Sequence, residues 1–275
     1  MSSKALPQIP SDPFECLCQG CERPWEVDVD PFEVAERTWY VGNGWVGAYL
    51  LDTGAGLVLI DTTMQPQVYL LFEAIRKLGL DPADIELILI SHMHYDHIGG
   101  VRALVEATGA RVMMSREDWD FMQERPDQIF ASGYPCGSFT PDAFFSDDTP
   151  VELGDRRVRT VLTPGHTPGT TSFFFEAGGL LCGMHGGVGL NTLGDAFLAE
   201  SGLPVSARND YLASMLKVRA IPVQVTLGSH PAQVGMLEKV EAIRPGHNPF
   251  HDPAIWHGLI DGRIAQVRTL MGEAA

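Results

Sequence analysis

Basic residues are scarce in this sequence: 19 lysines and arginines stand against 35 aspartates and glutamates in 275 residues, a formal charge of -16 at pH 7. Such an excess works against a phosphate backbone or an anionic membrane surface as partner, so no nucleic acid and no membrane is expected. Long apolar runs are missing too. No stretch approaches the ~20 residues that span a bilayer, and the start, MSSKALPQIPSDPFEC, lacks the apolar run of a signal peptide. The chain reads as cytoplasmic, a reading it would share with the mature form of a periplasmic or secreted protein. Five cysteines, an odd and irregularly spaced set, make no disulfide framework in a chain this long. Also missing are a Gly-x-Ser-x-Gly elbow, a glycine-rich loop followed by Lys-Ser/Thr, and a strand-GxGxxG-helix unit. Serine-hydrolase chemistry and phosphate cradling thus lack their usual carriers.

What is present suits a globular core: 45% apolar residues, with 29 glycines and 19 prolines to punctuate it. Trp39 to Val41, Ala48 to Asp52 and Leu57 to Ile60 read as short strands, the last two joined by the turn Thr53 to Gly56. Gln67 to Leu78 has helical spacing, and Glu86 to Ile90 is a buried strand. A helix over Gly100 to Thr108, a strand over Arg111 to Met114 and a helix capped by Ser115 follow. Arg125 to Thr149 has no period and reads as a long binding loop or lid. Strands are expected at Val151 to Leu153, Val158 to Leu162, Thr171 to Phe175, Leu180 to Cys182 and Val223 to Leu227. Helices are expected at Ala207 to Ala220, near Ala232 to Ile243, and from Asp252 with Pro253 in first place. No linker divides the series. The expected organisation is an N-terminal arm, residues 1–30, and a single domain, residues 31–275, with two sheets sandwiched between helices.

The chemistry concentrates in SHMHYDHIGG, Ser91 to Gly100, directly after the apolar run Leu87 to Ile90. If the strand continues, His92 and His94 project the same way, with Asp96 and His97 on the turn beyond. Imidazole nitrogen and carboxylate oxygen gathered on one short segment suit zinc, which binds both at ~2.0–2.2 Å. Cys16, Cys18 and Cys21 form a second cluster in which a metal site lacks an evident fourth ligand; a structural or unpaired role is the alternative.

The HxHxDH motif resembles the signature of the metallo-β-lactamase superfamily. His166 in TPGHTPG and His230 in VTLGSHPAQ fall where that family carries its next two metal histidines. The resemblance runs from about Pro31 to His230, and it implies an α/β fold built as a four-layer αββα sandwich. It is strongest to the β-lactamases with a His-His-His and an Asp-His-His site, through PFEVAERTWYVGNGWVGAYLLDTGAGLVLIDT, GHTPGTTSF and YLASMLKVRAIPVQVTLGSHPA. It implies two zinc ions per chain, one held by His92, His94 and His166, the other by Asp96, His97 and His230, with a bridging water or hydroxide as nucleophile. Asp96 would also act catalytically, orienting that nucleophile and passing its proton to the leaving group. The implied function is hydrolysis of a small cyclic amide, with a lactonase, esterase or thioesterase as the alternative.

The sequence departs from related thioesterases and lactonases where they carry a metal-bridging aspartate, because LLCGMHGG places Met184 there. It departs from the β-lactamases where they carry drug-binding serines, because Met184-His185-Gly186-Gly187 stands there instead. His185 is a candidate substrate contact, an extra ligand or a supporting residue. Trp45 is a candidate cover over the metals, and Tyr134, with Phe139, Phe144 and Phe145, a candidate opposite wall. His247, His251 and His257 read as loop and helix-start residues. A redox module of the flavo-diiron branch is disfavoured, since that branch has glutamate where His94 stands.

Overall fold

The structure, a computed structural model, describes residues 5–273; the first four residues of the expected arm lie outside the described residues. The arm contains a helix. Asp12 accepts hydrogen bonds from the amides of Phe14 and Glu15 and so starts helix α1 (Pro13–Glu22). Its Leu17 packs with Met64 and Tyr95, and Gln67 Nε2 donates to the Gly20 carbonyl.

Strands β1 (Phe32–Ala35), β2 (Thr38–Tyr40), β3 (Tyr49–Asp52) and β4 (Leu57–Ile60) pair antiparallel in sequence order. Helix α2 (Val68–Lys77) then carries the chain across to β5 (Ile85–Leu89), parallel to β4. A single turn, α3 (Tyr95–Ile98), is followed by α4 (Val101–Thr108), β6 (Arg111–Met114), α5 (Arg116–Glu124) and the two-residue strand β7 (Ala143–Phe144), both strands extending the parallel run. The second sheet holds β8 (Val151–Leu153), β9 (Arg156–Leu162), β10 (Thr171–Ala177) and β11 (Leu180–His185), antiparallel in order. After α6 (Asp195–Ser201) and α7 (Ala207–Arg219), β12 (Val225–Gly228) joins parallel to β11, and α8 (Pro253–Leu270) closes the described chain.

Alternation along the strands assembles four layers. Val58, Ile60, Leu87 and Leu89 point between the sheets, where they meet Phe173, Phe175, Cys182 and Met184. Leu57, Leu59 and Ile88 face outward onto Leu71 and Ile75 of α2 and Leu104 of α4. Phe174 of β10 lies on the opposite outer face with Tyr211 and Met215 of α7 and Trp256 and Ile260 of α8. Strands apolar on both faces are what a sheet covered by helices demands. The fold is the α/β four-layer αββα sandwich.

Three local expectations are corrected. The helix expected near Ala232 to Ile243 is two 3-10 stretches, Pro231–Gln233 and Leu237–Ala242, because Gly235 takes a φ of 59° between them. The strand expected at Leu180 to Cys182 runs on to His185, where its last residues pair with Leu227 and Gly228. The strand before the histidine motif, by contrast, stops at Leu89. Among the described residues no helix is long and apolar enough to cross a membrane.

Candidate metal centre

The histidine motif leaves the sheet because two carboxylates take over its backbone. Asp61 accepts from Ser91 N at 2.8 Å and Ser91 Oγ at 2.7 Å, and Asp118 accepts from Met93 N at 2.9 Å. These bonds replace the ladder a continued strand would have used, and they turn His92 and His94 toward the gap between the sheets. Asp61 itself has a φ of 61° and Thr63 one of 58°. For Thr63, a β-branched residue, that is a strained conformation, held by packing at the edge of the site.

Asp118 also ties this loop to the next one. It is fully buried and accepts from Thr167 Oγ1 at 2.8 Å and Gly169 N at 2.6 Å, spanning to TPGHTPG. Burial pushes its carboxyl up to about 7, against the opposing pull of those hydrogen bonds. Gly165 has a φ of 142°, and a Cβ there would stand 2.4 Å from the Tyr211 side chain, so only glycine delivers His166 at this turn. Gly187 serves the same end. A Cβ on it would lie 2.5 Å from His166, which is why the glycine-rich stretch after β11 passes over the ring.

The result is a cluster drawn from loops at the ends of both sheets. One ligand atom each from His92, His94 and His166 lie within 4.8 Å of one another, and so do those of His92, Asp96 and His97. Asp96 Oδ2 lies 3.3 Å from His97 Nε2 and 3.4 Å from His230 Nε2, which brings His230 into the same group. Four of the five rings are held by the nitrogen that faces away. Nδ1 of His97 meets Asp61 at 2.7 Å, that of His166 the Gly189 carbonyl at 2.9 Å, that of His230 the Trp45 carbonyl at 2.7 Å, and that of His92 Ser91 Oγ at 3.1 Å. Outward anchoring of one nitrogen is how proteins aim the other at a metal. Nε2 of His97, fully buried, makes no well-directed hydrogen bond, with the Asp96 carboxylate oxygen 3.3 Å away as its charged neighbour. A dense, buried donor set with an unsatisfied nitrogen fits a metal ion better than it fits a hydrogen-bonded core.

Electrostatics keep the His92, His94 and His166 rings neutral. Burial lowers His92 and His94 well below the usual imidazole range and His166 to about 4, so their lone pairs stay free in mild acid. For His97, burial acts the same way but Asp96 and Asp61 on either side outweigh it and lift the ring to about 10. Asp96 is held below the usual carboxylate range: burial opposes this, and His97 and His230 overcome it.

The cluster forms the floor of a cavity of about 390 Å³ whose walls include Trp45, Phe130, Val188 and, from α1, Pro13, Phe14 and Leu17. Trp45 is one of the residues lining this cavity, 5.4 Å between ring centres from His230. His185 and Tyr134 do not line this cavity. His185 is buried behind it, with Nδ1 accepting from Gly187 N at 3.3 Å, Nε2 unpartnered, and burial lowering it to about 3. Tyr134 turns outward and donates to Glu22 Oε1 at 2.7 Å, fastening the long loop to α1. Phe139 packs on Trp119, Phe144 under Arg116, and Phe145 on Phe173. The wall the loop does supply is Phe130, in the left-handed region at φ 59° and 5.0 Å from His94. Met184 is fully buried among the residues between the sheets. The three arm cysteines join no candidate metal group among the described residues; Cys16 donates to the Pro10 carbonyl and Cys21 to Met64 Sδ.

Comparison with known proteins matches residues 46–182 to the model of the metallo-β-lactamase superfamily. The fold superposes on the native metallo-β-lactamase from Legionella gormanii with a TM-score of 0.80 at 27% identity, covering 89% of this chain and 96% of that one. It superposes on a subclass B3 metallo-β-lactamase of Bradyrhizobium japonicum with a TM-score of 0.82 at 26% identity, covering 92% and 97%. By sequence, an N-acyl homoserine lactonase of Agrobacterium fabrum is 32% identical over 108 residues, 37% of this chain and 40% of that protein. An N-acyl homoserine lactonase of Bacillus thuringiensis is 25% identical over 154 residues, 48% and 58% of the two chains. The chain thus spans about half the length of these curated relatives.

Proposed function

Since the chain belongs to the metallo-β-lactamase superfamily, we propose that it is a binuclear zinc hydrolase that opens a small cyclic amide or ester. The observation that carries this reading is the convergence of two ligand groups on one buried floor, with His92 common to both. His92, His94 and His166 would hold one ion, and Asp96, His97 and His230 the other. Zinc bound there would supply Lewis acidity toward the acyl carbonyl and a water ionised near neutral pH.

The protein's own residues do the rest. Asp61 holds His97 by Nδ1 and the Trp45 carbonyl holds His230 by Nδ1, so both rings are oriented before a ligand arrives. Asp96, its Oδ2 directed at both rings, has a second oxygen to orient the attacking water, take its proton and deliver it to the leaving nitrogen or oxygen. Trp45, Phe130 and Leu17 keep bulk water off the reacting bond.

Both ring types suit the lining, which holds no lysine or arginine among the described residues but offers Ser132, Asn191, Ser229 and Gln233 to a carboxylate or a carbonyl. The test is hydrolysis of a chromogenic cephalosporin and of an acyl lactone by zinc-quantified protein, with and without chelator. Chelator-sensitive turnover of either is expected; a protein with two zinc ions that opens neither ring would overturn the reading.

A further inference from the structure

His230 is aimed by a backbone carbonyl of a loop 185 residues away. Its Nδ1 faces the Trp45 oxygen at 2.7 Å, and a carbonyl only accepts, so the neutral ring carries its proton on Nδ1 and leaves the Nε2 lone pair toward Asp96. The direction of the Trp45 carbonyl therefore decides the direction of His230. That carbonyl belongs to a turn, Asn43 to Val46, outside any helix or strand.

One buried side chain holds the turn from within. Asn43 Oδ1 accepts from the amides of Trp45 and Val46, each at 2.8 Å. The Val46 N–H and the Trp45 C=O belong to one planar trans peptide unit and point in opposite directions. Drawing the N–H onto Asn43 thus turns the C=O the other way, onto His230. The Asn43 amide is oriented in its turn by Gln67, also buried: Asn43 Nδ2 donates to Gln67 Oε1 at 2.7 Å, and Gln67 Nε2 donates to the Gly20 carbonyl of α1 at 3.2 Å. Beyond the turn, Gly47 N donates to the carbonyl of Ser229 at 2.8 Å, next to His230 itself.

We propose that Asn43 is a positioning residue for the metal site of Asp96, His97 and His230, acting on His230 through the Trp45 carbonyl, and that Gln67 extends this control to α1. The inference rests on the two-ion reading for the metal it serves and on the peptide geometry for the control itself. An asparagine that only closed the turn would act on stability alone, and the Asn43 N–H already closes it by donating to the Val46 carbonyl at 3.0 Å. His92 and His166 are held by Ser91 and by the Gly189 carbonyl, which share none of these bonds, so the effect is confined to one of the two ligand groups.

Two readouts on the full chain test it. In chelator-stripped protein at about pH 8, nitrogen-15 NMR of the histidine rings shows which nitrogen of His230 is protonated. Wild type is expected to hold the proton on Nδ1, and Asn43→Ala to move most of it to Nε2, where Asp96 Oδ2 stands 3.4 Å away. Asn43→Asp, which keeps the acceptor for both amides, should restore the Nδ1 form. Competition with a chromogenic chelator then reads the zinc ions separately. Asn43→Ala should weaken about tenfold the ion that His230→Ala loses and leave the other unaltered. Gln67→Leu frees the Asn43 amide without opening the turn, so it should shift both readouts the same way by less, and it carries the test alone if Asn43→Ala does not fold. Asn248→Ala, which breaks bonds to the Val34 carbonyl and the Phe250 amide, is the control for loosening elsewhere: it should lower Tm and leave proton and zinc ratio as they are. A His230 proton that stays on Nδ1 in the Asn43→Ala and Gln67→Leu variants, or two ions weakened equally, would overturn the proposal. A wild type that binds one zinc ion while Asn43→Ala still moves the proton would remove the two-ion reading and keep the control of His230 by Asn43.

Discussion

His97 turns Nδ1 onto Asp61 Oδ2 at 2.7 Å, with both side chains fully buried. The same carboxylate holds Ser91, so one residue at the end of β4 sets both the path of the histidine loop and the angle of the last histidine in it. A residue that touches no substrate thereby governs the second group of ligands.

Asp61→Asn keeps the shape and removes the charge. The expected result is zinc affinity weakened about 10- to 100-fold, read by competition with a chromogenic chelator. Affinity unchanged in that variant would mean that the contact is structural only.

The metal-free protein should show a stability maximum near neutral pH. His166, lowered by burial to about 4, and His92 and His94, lowered further below the ordinary ~6.5, stay neutral while the unfolded chain takes up protons, so stability falls as pH drops from ~6.5 toward 4. His97 has the opposite sign. Burial opposes its charge, but Asp96 and Asp61 raise it to about 10, so its contribution is complete below ~6.5 and is lost as pH climbs to 10. Urea unfolding of chelator-stripped protein from pH 4.5 to 10 checks this; a profile that only rises or only falls would contradict it.

Asp118→Ala removes the acceptor shared by Met93 N, Gly169 N and the Thr167 hydroxyl. Two buried amides left unpaired are expected to cost about 2–4 kcal/mol, with zinc affinity falling as the two loops separate. Asp118→Asn, which keeps an oxygen, should lose less. Unfolding curves and chelator competition measure both effects, and a variant unaltered in both would dissociate Asp118 from the centre.

His185→Leu tests the histidine that lies behind the cavity. Its Nε2 has no partner and its Nδ1 bond is long, so an apolar side chain of similar size should keep stability within about 1 kcal/mol and leave the zinc content untouched. Loss of zinc, measured by atomic absorption, would instead make His185 a ligand.

The residues that would bind metal were readable because four of them sit within six positions and the other two lie in short motifs, Gly165-His166 and Ser229-His230. The layers were readable too, since Leu57 to Ile60 and Ile85 to Leu89 must be buried on both faces. The walls were not. Leu17 reaches the floor through contacts of α1 with Gln67, 47 residues away, and Phe130 faces His94 only because its backbone adopts the left-handed region. Tyr134 illustrates the same point: aromatic and on the same loop, it lies outside the cavity with its hydroxyl on Glu22 and its ring against the cluster of Leu17, Met64 and Tyr95. Asp118 has the form of an ordinary acidic residue in the first turn of a helix, and its three partners appear only when both loops are folded against it. An acidic residue just beyond β6, one strand over from the motif, was the one hint available.

Every candidate ligand lies at or after His92, whereas Pro13, Phe14 and Leu17 belong to a helix that precedes the first strand. Part of the cavity wall is thus carried by a stretch that holds none of the candidate ligands, so Phe14 and Leu17 can be replaced without altering the order or spacing of those ligands, whereas Phe130 stands between Asp96 and His166 in the same stretch as the floor.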